Sequence, residues 1–488
     1  METRLKLLPL LTIFISLNCW APHYTDWFGI RFEDWKIAPA LATGGSFADH
    51  YAIYNNQLAV LEHYEYARND LINEAIAGSG VAKKDPSKIN IYEFDGADWN
   101  LKSSLLEPDI LESTPYVSPE EPSVIISSET GFGQSLLIRN DILFIGMPSL
   151  GTVKLYAKQP HPTLAGSHVW THQNDILPLA VSLPTEGFGR SMAFSENVLI
   201  IQNNQGGLFV HKKIGVPLKW ELDQEIYIDE PCFSKDFELS GNTLIIGSKD
   251  GCTGKVWIFE SNGDKFNLTE TYFSPDPSPH PADSEFGHSV SIDGNNNILI
   301  THSRYLLDLH GFSGAAGIAY IGKKEPGSPL TITNVLNPND AGTGEFGWDA
   351  DISENKAIVN DPYFSSIVDG SITESGLGMN YLYVKTAEDT WEHLAKLTRS
   401  DAAAISWFGR SGVEITDSGF AVVADPYSES GTQPSSAFGG IYIYDLRDME
   451  GLFFDPIYDE DIPAIGVIGS LMLALSILGM GWSRIRKK

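Results

Sequence analysis

Polar and apolar residues alternate along this chain in short runs broken by Gly, Asn, Asp and Pro. A period of two predicts half-buried β-strands rather than helices. One stretch shows the unit. "EFGHSVSIDGNNNILITHS", from Glu285, is an alternating run, a Gly/Asn turn and a second apolar run, the pattern of a hairpin. The same order recurs in "GFGQSLLIRNDILFIGMPS" from Gly131, "GFGRSMAFSENVLIIQNNQ" from Gly187, "CFSKDFELSGNTLIIGSKD" from Cys232, "EFGWDADISENKAIVNDPY" from Glu345 and "WFGRSGVEITDSGFAVVADPY" from Trp407. "SFADHYAIYNNQLAVLEHY", from Ser46, is a degenerate copy. The aligned phenylalanines are Phe47, Phe132, Phe188, Phe233, Phe286, Phe346 and Phe408.

Each hairpin is followed by a loop and an aromatic-rich run such as "KVWIFES" or "IYIYDL". A last run, often opened by Trp as in "DTWEHLAKL", completes most units. Four short strands repeated in series predict an all-β fold, a seven-bladed β-propeller of four-stranded blades. The last unit lacks its fourth strand. "EDWKIAPAL", residues 33–41, matches "DTWEHLAKL" and lies ahead of the first unit. The N-terminal strand is therefore expected to complete the last blade and close the ring.

The run "TWEHLAKLTRSDAAAISWFGRSGVEITDSGFAVVADPY" resembles the FG-GAP repeats of bacterial proteins, with W-x-x-x-x-K-L, a polar linker, F-G-x-S, a turn and a V-G-A-P-like end. The resemblance covers about residues 30–450 and is most specific in blades 2, 6 and 7. It implies a sevenfold propeller like the head of the integrin α-subunit. The "GAP" positions read "GMP" at Gly146 to Pro148, "NDP" at Asn360 to Pro362 and "ADP" at Ala424 to Pro426.

The two ends read differently. Residues 1–21 place Arg4 and Lys6 before an apolar run, the layout of a secretory signal peptide. Residues 451–461 read as a linker. Residues 462–482 carry no charge and, at ~1.5 Å per residue, suffice to cross a bilayer as a transmembrane helix. The basic tail "SRIRKK", residues 483–488, is expected to stay cytoplasmic with the body outside. This order resembles the C-terminal envelope sorting signals of bacteria, with "DIPAIG" from Asp461 in the motif position. That implies export, then a single-pass C-terminal anchor at the cell envelope or surface, or release after processing.

The net charge is −30, and both ends are basic, so the acidity belongs to the body. Such a surface repels nucleic acid. Asp293, Asn295 and Asn297 alternate as in a calcium loop. Ile298 stands where a calcium-binding FG-GAP loop has Gly, and Thr301 where it has its last Asp. One carboxylate and two amides fall short of the six to eight oxygens calcium takes. The stretch is therefore read as a hairpin turn, and no cofactor is expected. Cys232 and Cys252 flank the hairpin of blade 4 and are expected to meet across its open end; with export, a disulfide follows.

With the strands of each blade lettered A to D from the axis outward, the A–B turns are tight. The B–C and D–A connections carry nearly all the long segments, on one face. Long loops on a rigid scaffold commonly bind ligands. Their aromatics and acids, Tyr64, Tyr66, Tyr305, Asp361, Tyr363, Phe364, Asp425 and Tyr427, are candidates for contact with an extracellular protein or glycan. No HExxH, GxSxG elbow, P-loop or dinucleotide-binding pattern occurs, and "GHSVS" and "GRSGV" fall inside strand A. The expected function is a binding or adhesion module. The alternatives are a polysaccharide-active enzyme, which needs a carboxylate or histidine cluster at one channel mouth, and a structural envelope or matrix component.

Overall fold

A computed structural model describes residues 30–31, 33–38, 46–63, 87–107, 116–117, 125–126, 131–178, 183–215, 219–228, 233–248, 254–275, 285–303, 317–338, 342–368, 371–374, 376–386, 389–400, 407–425 and 439–447. The signal-like segment, the apolar segment 462–482 and both cysteines, Cys232 and Cys252, lie outside these residues. No helix among the described residues is long and apolar enough to cross a membrane. The chain divides after Asp445 into two units, and the second is described only at Leu446 and Arg447.

The first unit is an all-β, seven-bladed propeller. Blades 1 to 5 are antiparallel sheets of four consecutive strands, within residues 46–106, 135–176, 191–226, 233–273 and 286–336. Blade 6 is built from Ala350–Ser353, Lys356–Asp361, Met379–Lys385 and Trp391–Leu397. Blade 7 takes Val413–Ile415, Phe420–Asp425 and Gly440–Asp445 from the C-terminal side and Trp35–Ile37 from the N-terminal side. Trp35 pairs Ile443 and Ile37 pairs Ile441, so the ring closes as expected. Trp35 also packs edge-on against Phe94 of blade 1 and Phe420 of blade 7, at 5.2 and 6.1 Å. The closing strand thus seals the seam between the first and last blades.

Three additions were not expected, one of them the antiparallel pair Tyr116–Val117 and Ile125–Ile126 in the linker before blade 2. Ile30–Arg31 runs parallel to Trp391–Leu397, adding a fifth strand to blade 6. Gly342–Thr343, Ser365–Val368 and Ser371–Glu374 form a small accessory sheet from two connections of that blade.

The core lies between blades. Each B strand is covered on both faces, and Thr243–Ser248 or Lys356–Asp361 is buried at every position. D strands such as Phe266–Phe273 are largely exposed. Successive apolar clusters each join two neighbouring sheets. One unites Ile138, Leu143 and Ile145 of blade 2 with Ala59, Leu61 and Ile91 of blade 1. Another unites Ile37, Val422 and Ile443 of blade 7 with Ile53, Leu58 and Val60 of blade 1. Aligned packing of twisted sheets repeated around a circle produces the ring.

The FG signature is the hinge of this packing. Phe132, Phe188, Phe286, Phe346 and Phe408 are all buried. Four of them meet an aromatic of strand C in their own blade edge to face: Phe188 with Phe209, Phe286 with Tyr320, Phe346 with Tyr381 and Phe408 with Tyr442, at 5.1, 5.6, 5.3 and 5.1 Å. The next residue turns the chain into the left-handed region, with φ between 80° and 95° at Gly133, Gly189, Gly287, Gly347 and Gly409. Only glycine takes this conformation freely. The degenerate first blade has Ala48 there, at φ 66°. The FG pair then lies against glycines of the preceding blade. A Cβ on Gly146 or Gly247 would overlap the carbonyl oxygen of Gly189 or Gly287, and one on Gly254, Gly317 or Gly378 would overlap backbone of Phe286, Phe346 or Phe408.

Candidate functional site

Strand A lines the axis, and alternate residues along a strand share a face. The third and fourth signature positions, counted from the Phe, lie where the chain enters strand A, and they ring the channel entrance. They line a cavity of ≈ 680 Å3. Asp49 and His50 come from blade 1, Gln134 and Ser135 from blade 2, and Arg190 and Ser191 from blade 3. Asp236 comes from blade 4, His288 and Ser289 from blade 5, Trp348 and Asp349 from blade 6, and Arg410 and Ser411 from blade 7. Asn204, in the B–C connection of blade 3, also lines it, so the cavity opens on the face of those connections. Its volume lies in the usual range for small-molecule sites.

Beneath the entrance the wall is acidic, with Asp236, Glu238, Asp349, Asp351 and Glu414 on successive inward positions of the A strands. Neighbouring A strands are not paired to each other, and these carboxylates bridge them. Val290 N donates to Asp236 at 2.6 Å and Ile292 N to Glu238 at 2.8 Å. Val413 N donates to Asp349 at 2.9 Å, Ile415 N to Asp351 at 2.7 Å and Ile53 N to Glu414 at 3.3 Å. The hydroxyls of Ser289 and Ser291 add donors to Asp349 and Asp351 at 3.1 and 2.6 Å. Burial deep in the molecule pushes the Asp349 carboxyl up to about 6, and the nearby Asp236 charge adds to it. Burial likewise pushes Glu414 up to about 8, against the pull of the Arg139 guanidinium. Glu238 and Asp351 shift upward for the same first reason, burial. Arg139 is held by the Ile53 carbonyl at 3.2 Å and by the Tyr54 ring, 4.8 Å from its centroid.

One side of the entrance is aromatic. The His288 ring meets Trp348 at 4.9 Å, Trp348 meets Tyr363 at 5.6 Å, and Tyr363 meets Trp407 at 6.1 Å. The Arg410 guanidinium lies over Trp407 at 4.7 Å and Tyr363 at 6.0 Å. Trp348, Tyr363, Trp407 and Arg410 are half-buried, so each keeps an accessible surface, whereas the His288 side chain is 8% exposed. Trp407 holds φ 49°, whereas blades 2 and 3 place Gly131 and Gly187 at the equivalent position, with φ 71° and 75°. A bulky side chain in this region is strained.

Tyr363 is the loop-face candidate that joins this wall. Asp361 is buried and accepts from Glu345 N at 2.8 Å, tying the B–C connection of blade 6 to its incoming linker. Phe364 is core. Asp425 is fully buried and ion-paired with Arg399, itself 2% exposed. Tyr64, Tyr66, Tyr305 and Tyr427 lie outside the described residues, and so do the side chains of Phe47 and Phe233. Asp293 accepts from Asn295 N at 2.9 Å, from Asn297 N at 2.8 Å and from the Asn297 amide at 2.6 Å. Its carboxylate thereby organises the turn. Among the described residues no group of three His, Cys, Asp or Glu is placed to hold a metal ion.

Sequence reasoning did not single out the entrance residues or the acidic wall. The available signal was positional: the third and fourth signature residues of most blades line one cavity.

No protein-family model matches the chain, and no curated protein matches it. Among solved structures, a protein from Lactobacillus plantarum aligns at TM-score 0.44 and 10% identity over 73% of this chain and 86% of that one. A structure of a mitotic checkpoint complex aligns at TM-score 0.45 and 10% identity over 87% of this chain and 96% of its own.

Proposed function

We propose that the chain is an exported propeller of the FG-GAP kind, held at the cell envelope by residues 462–482 or released after processing. It works as a binding module for an extracellular glycan or protein, which it takes at the channel entrance. One observation carries the reading. All seven blades keep Phe and five keep the following Gly, which pack the seams, but the third position, which lines the cavity, varies: Asp49, Gln134, Arg190, His288, Trp348 and Arg410 in blades 1, 2, 3, 5, 6 and 7. A scaffold with no ligand has no reason to place so many chemistries at one convergent mouth. The test is capture of cell-surface glycans and proteins by the purified chain, compared with Arg190→Ala and Trp348→Ala. Capture that both substitutions leave intact removes the entrance from consideration.

A polysaccharide-active enzyme is the second reading, and it too rests on a specific observation. Asp49, His50, Asp236, His288 and Asp349 gather at one mouth, and an Asp349 pKa near 6 suits proton transfer close to neutral pH. Release of new reducing ends from surface polysaccharide, abolished by Asp349→Asn, would select this reading over binding alone.

A further inference from the structure

The wall of the entrance and its charge together narrow the ligand class. This step rests on the entrance being the binding site. In a chain of net charge −30, the outermost ring of the cavity reverses the local sign. The third signature positions present Arg190 and Arg410 against the single carboxylate of Asp49. The Arg410 guanidinium is held by the rings of Trp407 and Tyr363, and the exposed Arg190 donates to the Asn204 side-chain oxygen at 3.2 Å. A fixed guanidinium takes a carboxylate through paired N–H donors at little further entropic cost. One layer deeper the lining changes to Ser135, Ser191, Ser289, Asp236 and Asp349, which accept from or donate to hydroxyl groups. A simple anion would meet repulsion from Asp236 and Asp349 at that depth, whereas a polyol would not. Beside both layers stand Trp348, Tyr363 and Trp407, spaced 5.6 and 6.1 Å between ring centroids and turned 84° and 60° to each other, a faceted aromatic wall. Flat apolar faces with polar edges stack on the C–H faces of pyranose rings.

From this arrangement we infer that the entrance binds an acidic saccharide. Sugar rings pack on the facets of Trp348, Tyr363 and Trp407, the Arg410 and Arg190 guanidiniums each read a ring carboxylate from their own side of the entrance, and hydroxyls reach the serine and aspartate layer. Trp407 adds a second line of support. Its strained φ of 49°, at a position that is glycine in blades 2 and 3, sets the indole beside Tyr363 and Arg410 at the cavity wall.

The test uses the full chain and three probes measured by calorimetry. They are a tetrasaccharide of galacturonic acid, the same tetrasaccharide with its carboxylates reduced to alcohols, and sodium acetate. The uronate is expected to bind, the reduced form at least tenfold more weakly, and acetate not to compete at equal concentration. Arg190→Gln and Arg410→Gln should each erode the preference for the uronate over its reduced form. Trp407→Gly should weaken uronate binding at least tenfold while leaving the thermal midpoint unchanged or higher, which a merely structural tryptophan would not do. Equal binding of the reduced form overturns the acidic class but leaves a glycan site at the entrance. Acetate competing as well as uronate reduces the site to an anion site and overturns the saccharide. A protein captured through Arg190 and Trp348 with no saccharide bound overturns this inference and keeps the entrance as the binding site. No ligand lost on substituting Arg190, Trp348 or Trp407 overturns both.

Discussion

Gly254→Ala tests whether glycines at the blade seams are required by close approach rather than by backbone freedom. Gly254 precedes strand C of blade 4, and its φ lies outside the left-handed region, so alanine costs nothing conformationally. A methyl there would sit 2.6 Å from both N and O of Phe286 and 2.7 Å from its Cβ. Ordinary contacts of this kind begin near ~3.4 Å, so blade 5 would have to retreat by about 0.8 Å along that seam. Phe286 is fully buried, among Ile258, Val256, Ile300 and Tyr320, and cannot move alone. Overpacking of a close-packed interior costs typically 1–3 kcal/mol, and backbone as the obstacle places this substitution at roughly 2–3 kcal/mol. Two controls separate the causes. Gly294→Ala meets nothing within 4 Å at an ordinary φ and should be neutral or stabilising by up to ~1 kcal/mol. Gly263→Ala meets nothing either, but at φ 94°, and should cost about 1 kcal/mol from strain alone. Urea unfolding followed by tryptophan fluorescence measures all three. A Gly254→Ala midpoint equal to wild type, or a cost no larger than that of Gly263→Ala, would refute the seam argument.

Stability should fall between pH 6.5 and 8. Glu414 and Glu238 hold their protons longer in the fold than in the unfolded chain, so rising pH favours the unfolded state until their folded pKa values are passed, about 8 for Glu414. Glu414→Gln should flatten that limb and stabilise the protein at pH 8 by roughly 3–5 kcal/mol, read by denaturation at pH 6.5 and 8. On the acid side, burial holds His211 and His302 down at about 4, so their share of stability is lost as pH falls from about 6.5 to 4. His211→Gln should reduce the loss over that window in the same assay. Trp35→Ala removes the indole that seals blade 7 to blade 1 and should cost about 2–3 kcal/mol in urea unfolding. Asp425→Asn removes the buried carboxylate that Arg399 pairs with and should cost up to about 3–5 kcal/mol in the same measurement.

Much of the fold was legible because a propeller writes its geometry into the sequence once per blade. The period of two marked the strands, the repeated Phe-Gly counted the units, and the missing last strand pointed to residues 33–41. Asp361 and Asp425 illustrate where the reading stopped short. Both precede a Pro-Tyr where a long connection begins, and in sequence they look like exposed loop acids. Each instead turns inward, one to the Glu345 amide and the other to Arg399, a partner 26 positions away in sequence. The accessory sheet of blade 6 was missed because its strands, Gly342–Thr343, Ser365–Val368 and Ser371–Glu374, are too short for any period to emerge.

By itself the sequence determined the blade count, the strand order within a blade and the closure of the ring. These follow from local alternation, turn residues and self-similarity, all of which act over short stretches of chain. Tertiary structure alone decided the site. Asp49, Arg190, His288, Trp348 and Arg410 are scattered over more than three hundred positions, and each reads as an unremarkable residue after a Phe-Gly or Phe-Ala pair. They converge because the ring points the same strand position of every blade at one axis. The pKa of Asp349 likewise belongs to burial and to neighbours, Asp236 and Val413, that only the packing of the blades brings into reach.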